Sequence, residues 1–242
     1  MNRHPWIFTT GALLLGAHLA LGQSTADVAA YRGIMLTPVG GFSPLMTSTL
    51  VNRLQNGASF AFRYGHEGSG GLNGSQNLNN FGFSAILPLS LGSTASLTAG
   101  AIVPDCSGCH TKLTLGGEAD MRVYATPFGM SSTSPLITIS LDGQLGYTNR
   151  DPGSFFAGYV GAPFALVGRG TGMQFVPYLT PGFGFAQEAQ DGSSVSGALF
   201  MIGGGLGIYN KDNSVMVSVG FNYVFASQAQ TMLGLMVSVG GK

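Results

Sequence analysis

The chain has 242 residues, of which 39 are glycine, and its formal net charge is zero. Charged residues make up 8% and hydrophobic residues 45%, whereas a soluble domain carries about 25% charge. A water-exposed globule of this composition lacks polar groups to cover its surface, and with no run of Lys or Arg a nucleic-acid interface is not expected.

Residues 1–22 read as a signal peptide. Arg3 and His4 open it, Ile7 to Leu21 is mostly apolar, and Ala20-Leu21-Gly22 sets small residues before Gln23. A membrane anchor helix is the competing reading, but the run is short and ends in small residues. No cysteine stands at the cleavage point, so a lipoprotein is not expected. Residues 23–56 form an N-terminal segment. Within it Pro44 to Leu54 has helical spacing (Leu45, Met46, Leu50, Val51, Leu54) and either caps the structure or simply leads into the first strand, the simpler reading.

Residues 57–242 repeat one theme, about ten residues of two-residue alternation and then a turn. Ser59, Ala61, Arg63 and Gly65 oppose Phe60, Phe62 and Tyr64. Asn80, Gly82 and Ser84 oppose Phe81, Phe83, Ala85 and Leu87, and Ser96, Thr98 and Gly100 oppose Leu97, Ala99 and Ala101. Lys112 to Tyr124 sets Glu118, Asp120 and Arg122 against Leu113, Leu115 and Met121. Leu136 to Tyr147 sets Thr138, Ser140, Asp142 and Gln144 against Ile137, Ile139, Leu141 and Leu145. Phe155 to Val167 and Val195 to Tyr209 are apolar on both faces, which leaves their orientation open. Ser218, Gly220 and Asn222 oppose Val219, Phe221 and Tyr223, and Gly234 and Ser238 oppose Leu233, Leu235, Val237 and Val239.

Alternation without a ~20-residue apolar run excludes a spanning helix and leaves a closed barrel as the way to cross lipid. The expected fold is all-β, an antiparallel up-and-down transmembrane β-barrel of about ten strands, with eight or twelve as alternatives. An even count puts both termini on the periplasmic side. Longer connections such as His66 to Leu78, Pro104 to His110 and Glu188 to Ser194 then face outward, with Thr126 to Ser134 an unusually long turn on the other side. Pro177 and Pro181 sit inside a strand candidate, so bulges are expected there. A soluble two-sheet sandwich is the competing fold.

Phe175-Val176-Pro177-Tyr178-Leu179-Thr180-Pro181-Gly182-Phe183-Gly184 and Val217-Ser218-Val219-Gly220-Phe221-Asn222-Tyr223-Val224-Phe225 resemble strands of the small bacterial outer-membrane β-barrel superfamily. The resemblance is one of pattern and covers most of residues 57–240. It implies residence in the outer membrane, with the lipid bilayer and the barrel insertion machinery as partners and small solutes as possible ones. Many members end on an aromatic residue. This chain ends Val239-Gly240-Gly241-Lys242, with Phe225 one hairpin earlier.

Two constellations carry possible chemistry. Cys106-Ser107-Gly108-Cys109-His110 matches C-x-x-C-H, the attachment motif for c-type haem, with His110 as iron ligand. Its place between two strands favours a disulfide at a hairpin tip, since exported paired cysteines oxidise. Apart from that possible haem no cofactor is expected, and no metal site. Arg63, Glu118, Asp120, Arg122 and Asp142 fall on inward faces and should meet in the lumen as a charge cluster. Such a cluster is either an internal salt-bridge network filling a narrow barrel or a constriction that selects solutes. The outward aromatics Phe60, Phe62, Tyr64, Phe81 and Phe83 read as lipid-facing surface, and His66 as a solvated loop residue. The chain contains no G-x-S-x-G elbow. The expected function is a structural role, or passive binding and transport of small solutes, and not enzymatic. A haem electron-transfer barrel and an enzyme using lumen carboxylates are the alternatives.

Overall fold

The computed structural model describes residues 58–67, 78–90, 92–105, 108, 110–131, 133–149, 154–169, 172–190, 193–210, 215–225 and 230–240. The expected signal peptide and the Pro44–Leu54 helix lie outside them. The strands are β1 (Ser59–Glu67), β2 (Leu78–Ser90), β3 (Ser93–Pro104), β4 (Lys112–Pro127), β5 (Leu136–Asn149), β6 (Ser154–Gly161), β7 (Phe164–Val167), β8 (Gln174–Gln190), β9 (Ser193–Tyr209), β10 (Val215–Val224) and β11 (Gln230–Gly240). Each pairs antiparallel with its neighbour in chain order, except that β6 and β7 each pair with β5 and β8, and β1 pairs with β11, Ser59 facing Gly240, so the sheet closes on itself. Closure removes every sheet edge and pairs the backbone internally, as lipid requires.

Strands β6 and β7 are one strand interrupted at Ala162-Pro163. Both hold one register against β5 (Asp142 faces Gly161, and Ile139 faces Phe164). The register against β8 is equally continuous, from Gly182 opposite Gly161 to Leu179 opposite Phe164. The barrel is therefore ten-stranded. Pro163 has no N–H to give, yet its carbonyl still accepts from Ser140 N at 2.9 Å, and Ala162 N donates to Pro181 O at 3.0 Å.

That geometry corrects the expectation of bulges at Pro177 and Pro181. The β8–β9 register runs without a shift from Gln174 to Gln190. In an antiparallel strand one residue's N–H and C=O point to the same side, and the side alternates with each residue. The carbonyl of Pro181 points to Ala162, so its missing N–H is directed at the β6–β7 interruption. Pro177, four residues earlier, has the same parity. Neither proline removes a donor from the β9 ladder. The shifts fall instead at Pro88/Ser90 and at Arg122/Tyr124, both near the end of the barrel that holds the termini.

At the same end, the β2–β3 turn has Gly92 at φ 92°, a left-handed conformation suited to glycine. The β4–β5 turn is long and is closed by Phe128 N to Pro135 O at 2.7 Å.

Side chains sort by parity as the alternation requires. Outward positions form an apolar belt, with Phe60, Phe83, Leu97, Leu113, Leu145, Val160 and Phe183 all exposed. Inward positions are buried. The two segments that were apolar on both faces now have an orientation. Phe155, Ala157, Tyr159, Ala165 and Val167 point in from β6 and β7, and Leu199, Met201 and Tyr209 point in from β9.

The interior is therefore divided laterally. Strands β3 to β5 line it with Thr94, Ser96, Thr98, Thr114, Thr138, Ser140 and Thr148 together with the carboxylates. Strands β6 to β11 line it mostly with apolar side chains and glycine. The apolar side chains also gather at the two ends. Ala61, Ile86, Val167, Val176, Tyr209, Met216 and Met236 cluster toward the termini. At the opposite end Ala157, Leu199, Met201, Val224 and Met232 form one cluster, and Ile102 and Phe155 another.

Candidate functional site in the barrel interior

The middle of the interior is ionic. Arg63 Nη2 donates to Glu118 Oε2 at 2.7 Å, with both side chains essentially inaccessible at 0% and 1% exposure. The chain prepares this reach locally. Arg63 faces Gly82 of β2, which faces Gly100 of β3, so two residues without side chains clear the path toward β4. A Cβ on Gly100 would collide with Phe81 O and lie 3.1 Å from Thr114 Oγ1. Glu118 stands four residues along β4 from Thr114, the residue in line with Gly100. Strand tilt in a barrel brings such an offset position to a common height.

Around the pair, Ser96 Oγ donates to Glu118 Oε2 at 3.4 Å, and Gln144 Nε2 donates to Asp142 Oδ2 at 2.8 Å. Glu118 faces Gln144 across the β4–β5 ladder, and Asp120 faces Asp142. Asp142 lies within electrostatic reach of Glu118, Asp120 and Arg63. Three carboxyl groups thus gather near one guanidinium, all on inward positions with at most 4% exposure.

Arg122 is the exception among the five residues expected to meet. It has inward parity, opposite Ser140, but sits one step toward the termini. Its backbone N–H donates to Gly92 O at 2.6 Å, and its side chain runs along the β2–β3 turn. The register shift that follows it ends the alternating face at the barrel rim, so Arg122 stays half-buried, away from Arg63.

Cys106 and Cys109 lie outside the described residues. His110 is exposed just before β4, and Gly108 between the two cysteines has φ 80°.

Several interior residues were not singled out by the sequence. Tyr159 lies over Gly161 and Gly182, where a Cβ would strike its hydroxyl, and it donates to Thr180 O at 3.3 Å. Tyr178 lies against Gly205. The alternate-position glycines on β8 and β9 were the available signal, because a glycine opposite a bulky side chain marks where the bulk goes. His66, expected in a solvated loop, is instead the penultimate residue of β1. Its Nδ1 lies 3.0 Å from Asn79 Oδ1, which also accepts from Tyr64 Oη at 2.9 Å.

No family model matches the chain, and no curated protein matches it. Solved structures do. The outer membrane enzyme PagL matches with TM-score 0.37 and 12% identity, over 74% of this chain and 98% of that one. Ail, the attachment invasion locus protein of Yersinia pestis, matches with TM-score 0.31 and 13% identity, over 76% and 95%. The transport unit of the autotransporter AIDA-I from Escherichia coli matches with TM-score 0.45 and 11% identity, over 91% and 100%. An enzyme stands among them, so the expectation that this chain is not an enzyme is withdrawn. The three neighbours differ in what they do, and at these identities likeness of fold carries no activity across. The chain is an all-antiparallel, closed, ten-stranded β-barrel.

Proposed function

We propose that this protein is a structural outer-membrane barrel whose interior is closed in the resting state. The supporting observation is the Arg63–Glu118 pair, buried across the middle of the barrel between apolar layers toward each end. A guanidinium spanning two strands leaves no continuous water path along the side it crosses. On this reading the chain is exported on a cleaved signal peptide, inserted by the barrel insertion machinery, and serves as a rigid platform in lipid.

Passive passage of small solutes is the second reading, and one observation favours it. Inward hydroxyls line β3 to β5 from Thr94 and Thr138 toward one end to Thr114 and Thr148 toward the other, a polar wall beside the pair. Current across a planar lipid bilayer holding the purified protein separates the two. A structural barrel gives no steps as wild type, and step currents emerge in Arg63→Ala, where the cross-barrel side chain is gone. Steady open-channel current from the wild type would overturn the closed reading and establish passage.

A further inference from the structure

The outward wall of β1 and β2 carries two features that the interior does not explain. The first is polar. Tyr64, His66 and Asn79 are outward residues joined by hydrogen bonds through Asn79 Oδ1. An amide oxygen only accepts, so His66 donates from Nδ1 and its Nε2 lies on the opposite edge of the ring. The other charged side chains described within strands, Arg63, Lys112, Glu118, Asp120, Arg122 and Asp142, stand at inward positions. His66 is thus the one ionisable group besides tyrosine on the outward wall among the described residues. Ionisable groups facing lipid are costly and rarely kept without a partner.

The second feature is apolar. A groove of about 720 Å³ crosses the outward face from β11 to β4. Phe60, Phe62 and Phe83 wall one side, Leu115 stands at the far end, and Ala85 and Ala99 form a shallow floor. Four inter-strand steps make it about 19 Å long, at ~4.8 Å per step.

The two features share the β1–β2 ladder. Going up the β1–β2 ladder, the outward rungs are Phe62 with Phe83, Tyr64 with Phe81, and His66 with Asn79. In the first two rungs the rings pack in tilted pairs at 5.2 Å between centroids. The polar cap stands two rungs, or about 14 Å, above the groove wall at ~3.4 Å per residue. An apolar trough with an imidazole and an amide farther along the same outward wall matches one kind of molecule in the surrounding bilayer. We propose that this wall is a binding site for a phosphate-bearing membrane lipid, with an acyl chain in the groove and the phosphate oxygens accepting from Asn79 Nδ2 and from Nε2 of His66 in its imidazolium form. The belt around it is flush with bulk lipid, whereas the groove admits a chain below the belt surface and the cap selects the headgroup.

Native mass spectrometry of the full chain tests this, after delipidation in detergent and titration with phosphatidylglycerol or with diacylglycerol of the same chains. The site predicts a single bound phosphatidylglycerol at least tenfold tighter than diacylglycerol. The preference should fall to near unity in His66→Ala/Asn79→Ala, which leaves the groove intact. Both lipids should be lost in Ala85→Phe/Ala99→Phe, which fills the floor. Far-UV circular dichroism confirms that each variant is folded, and Leu145→Phe, on the outward wall away from the groove, serves as control. Equal binding of the two lipids, or retention of phosphatidylglycerol in both double variants, would overturn the proposal. So would failure of the wild type to bind either.

Discussion

Removing the lone guanidinium should destabilise the barrel more than removing the carboxylate it bonds. Arg63 is fully buried, bonds Glu118 and lies within electrostatic reach of Asp142. Breaking a buried ion pair from one side costs about 3–5 kcal/mol, because the remaining charge is left without compensation. In Glu118→Ala the guanidinium stays within electrostatic reach of Asp142, so the low end is expected, about 3 kcal/mol. In Arg63→Met the methionine fills much of the volume beside Met236, which faces residue 63 across the β1–β11 ladder. Glu118 and Asp142 then lose that cation, and the high end is expected, about 5 kcal/mol. The double variant Arg63→Met/Glu118→Leu should recover only part of the loss, since Asp120 and Asp142 remain. Equilibrium urea unfolding of the refolded protein in detergent micelles, followed by far-UV circular dichroism, gives the three values. Tryptophan fluorescence will not serve, because the sole Trp is Trp6. Losses below about 1 kcal/mol for both single variants, or Glu118→Ala costing more than Arg63→Met, would refute the reasoning.

Further outcomes follow from the same geometry. Leu145→Arg places a charge in the outward apolar belt, where Leu145 is 50% exposed, and should cost about 2–4 kcal/mol in lipid vesicles if that belt faces lipid. A cost near zero would mean this face meets water. Tyr159→Phe removes the hydrogen bond to Thr180 O and should cost about 1 kcal/mol in urea unfolding, with no change in the circular dichroism spectrum. Pro181→Ala adds an N–H directed at the β6–β7 interruption and should leave stability within about 0.5 kcal/mol. A large loss there would show that the proline shapes the strand.

The fold was legible because two-residue alternation is strict wherever one wall is polar. In β5 the polar residues Thr138, Ser140, Asp142 and Gln144 all turn inward, and Ile137, Ile139, Leu141 and Leu145 all turn outward. For the same reason Glu118, Asp120 and Asp142 share the inward face, with Asp120 opposite Asp142 and Glu118 opposite Gln144. Arg122 escaped the reading because parity does not register height. It has the right face but is the last inward position before the register shift, at the barrel rim. The prolines misled because composition gives no side to a missing N–H. Only the β6–β7 interruption, where Ala162 N donates to Pro181 O, shows which neighbour loses a donor. His66 read as a loop residue because a polar side chain at the end of a strand looks like the start of a connection. Its bond to Asn79 depends on the β1–β2 register.

Strands apolar on both faces posed a different problem, and glycine spacing resolves it. In β9 the inward and outward rows are equally hydrophobic, so polarity cannot separate them. Gly203, Gly205 and Gly207 nevertheless fall on one row, against Ile202, Leu206 and Ile208 on the other. A row of glycines beside bulky aromatics belongs where space is short, and in a filled barrel that is the inside. At Gly205 an added Cβ would collide with Val219 O and stand 2.6 Å from Tyr178 Oη and 2.7 Å from Gly220 Cα. At Gly143, on the outward row of β5, an added Cβ would meet nothing within 4 Å. Gly205→Ala should therefore destabilise the barrel by about 1–3 kcal/mol through overpacking. Gly143→Leu should be neutral or mildly stabilising, since its side chain enters lipid and removes strand glycine. The two substitutions separate crowding from any general penalty for losing a barrel glycine. Were both tolerated alike in urea unfolding, the glycine row would mark no packing constraint, and the inward assignment of β9 would have to rest on its register with β8 and β10 alone.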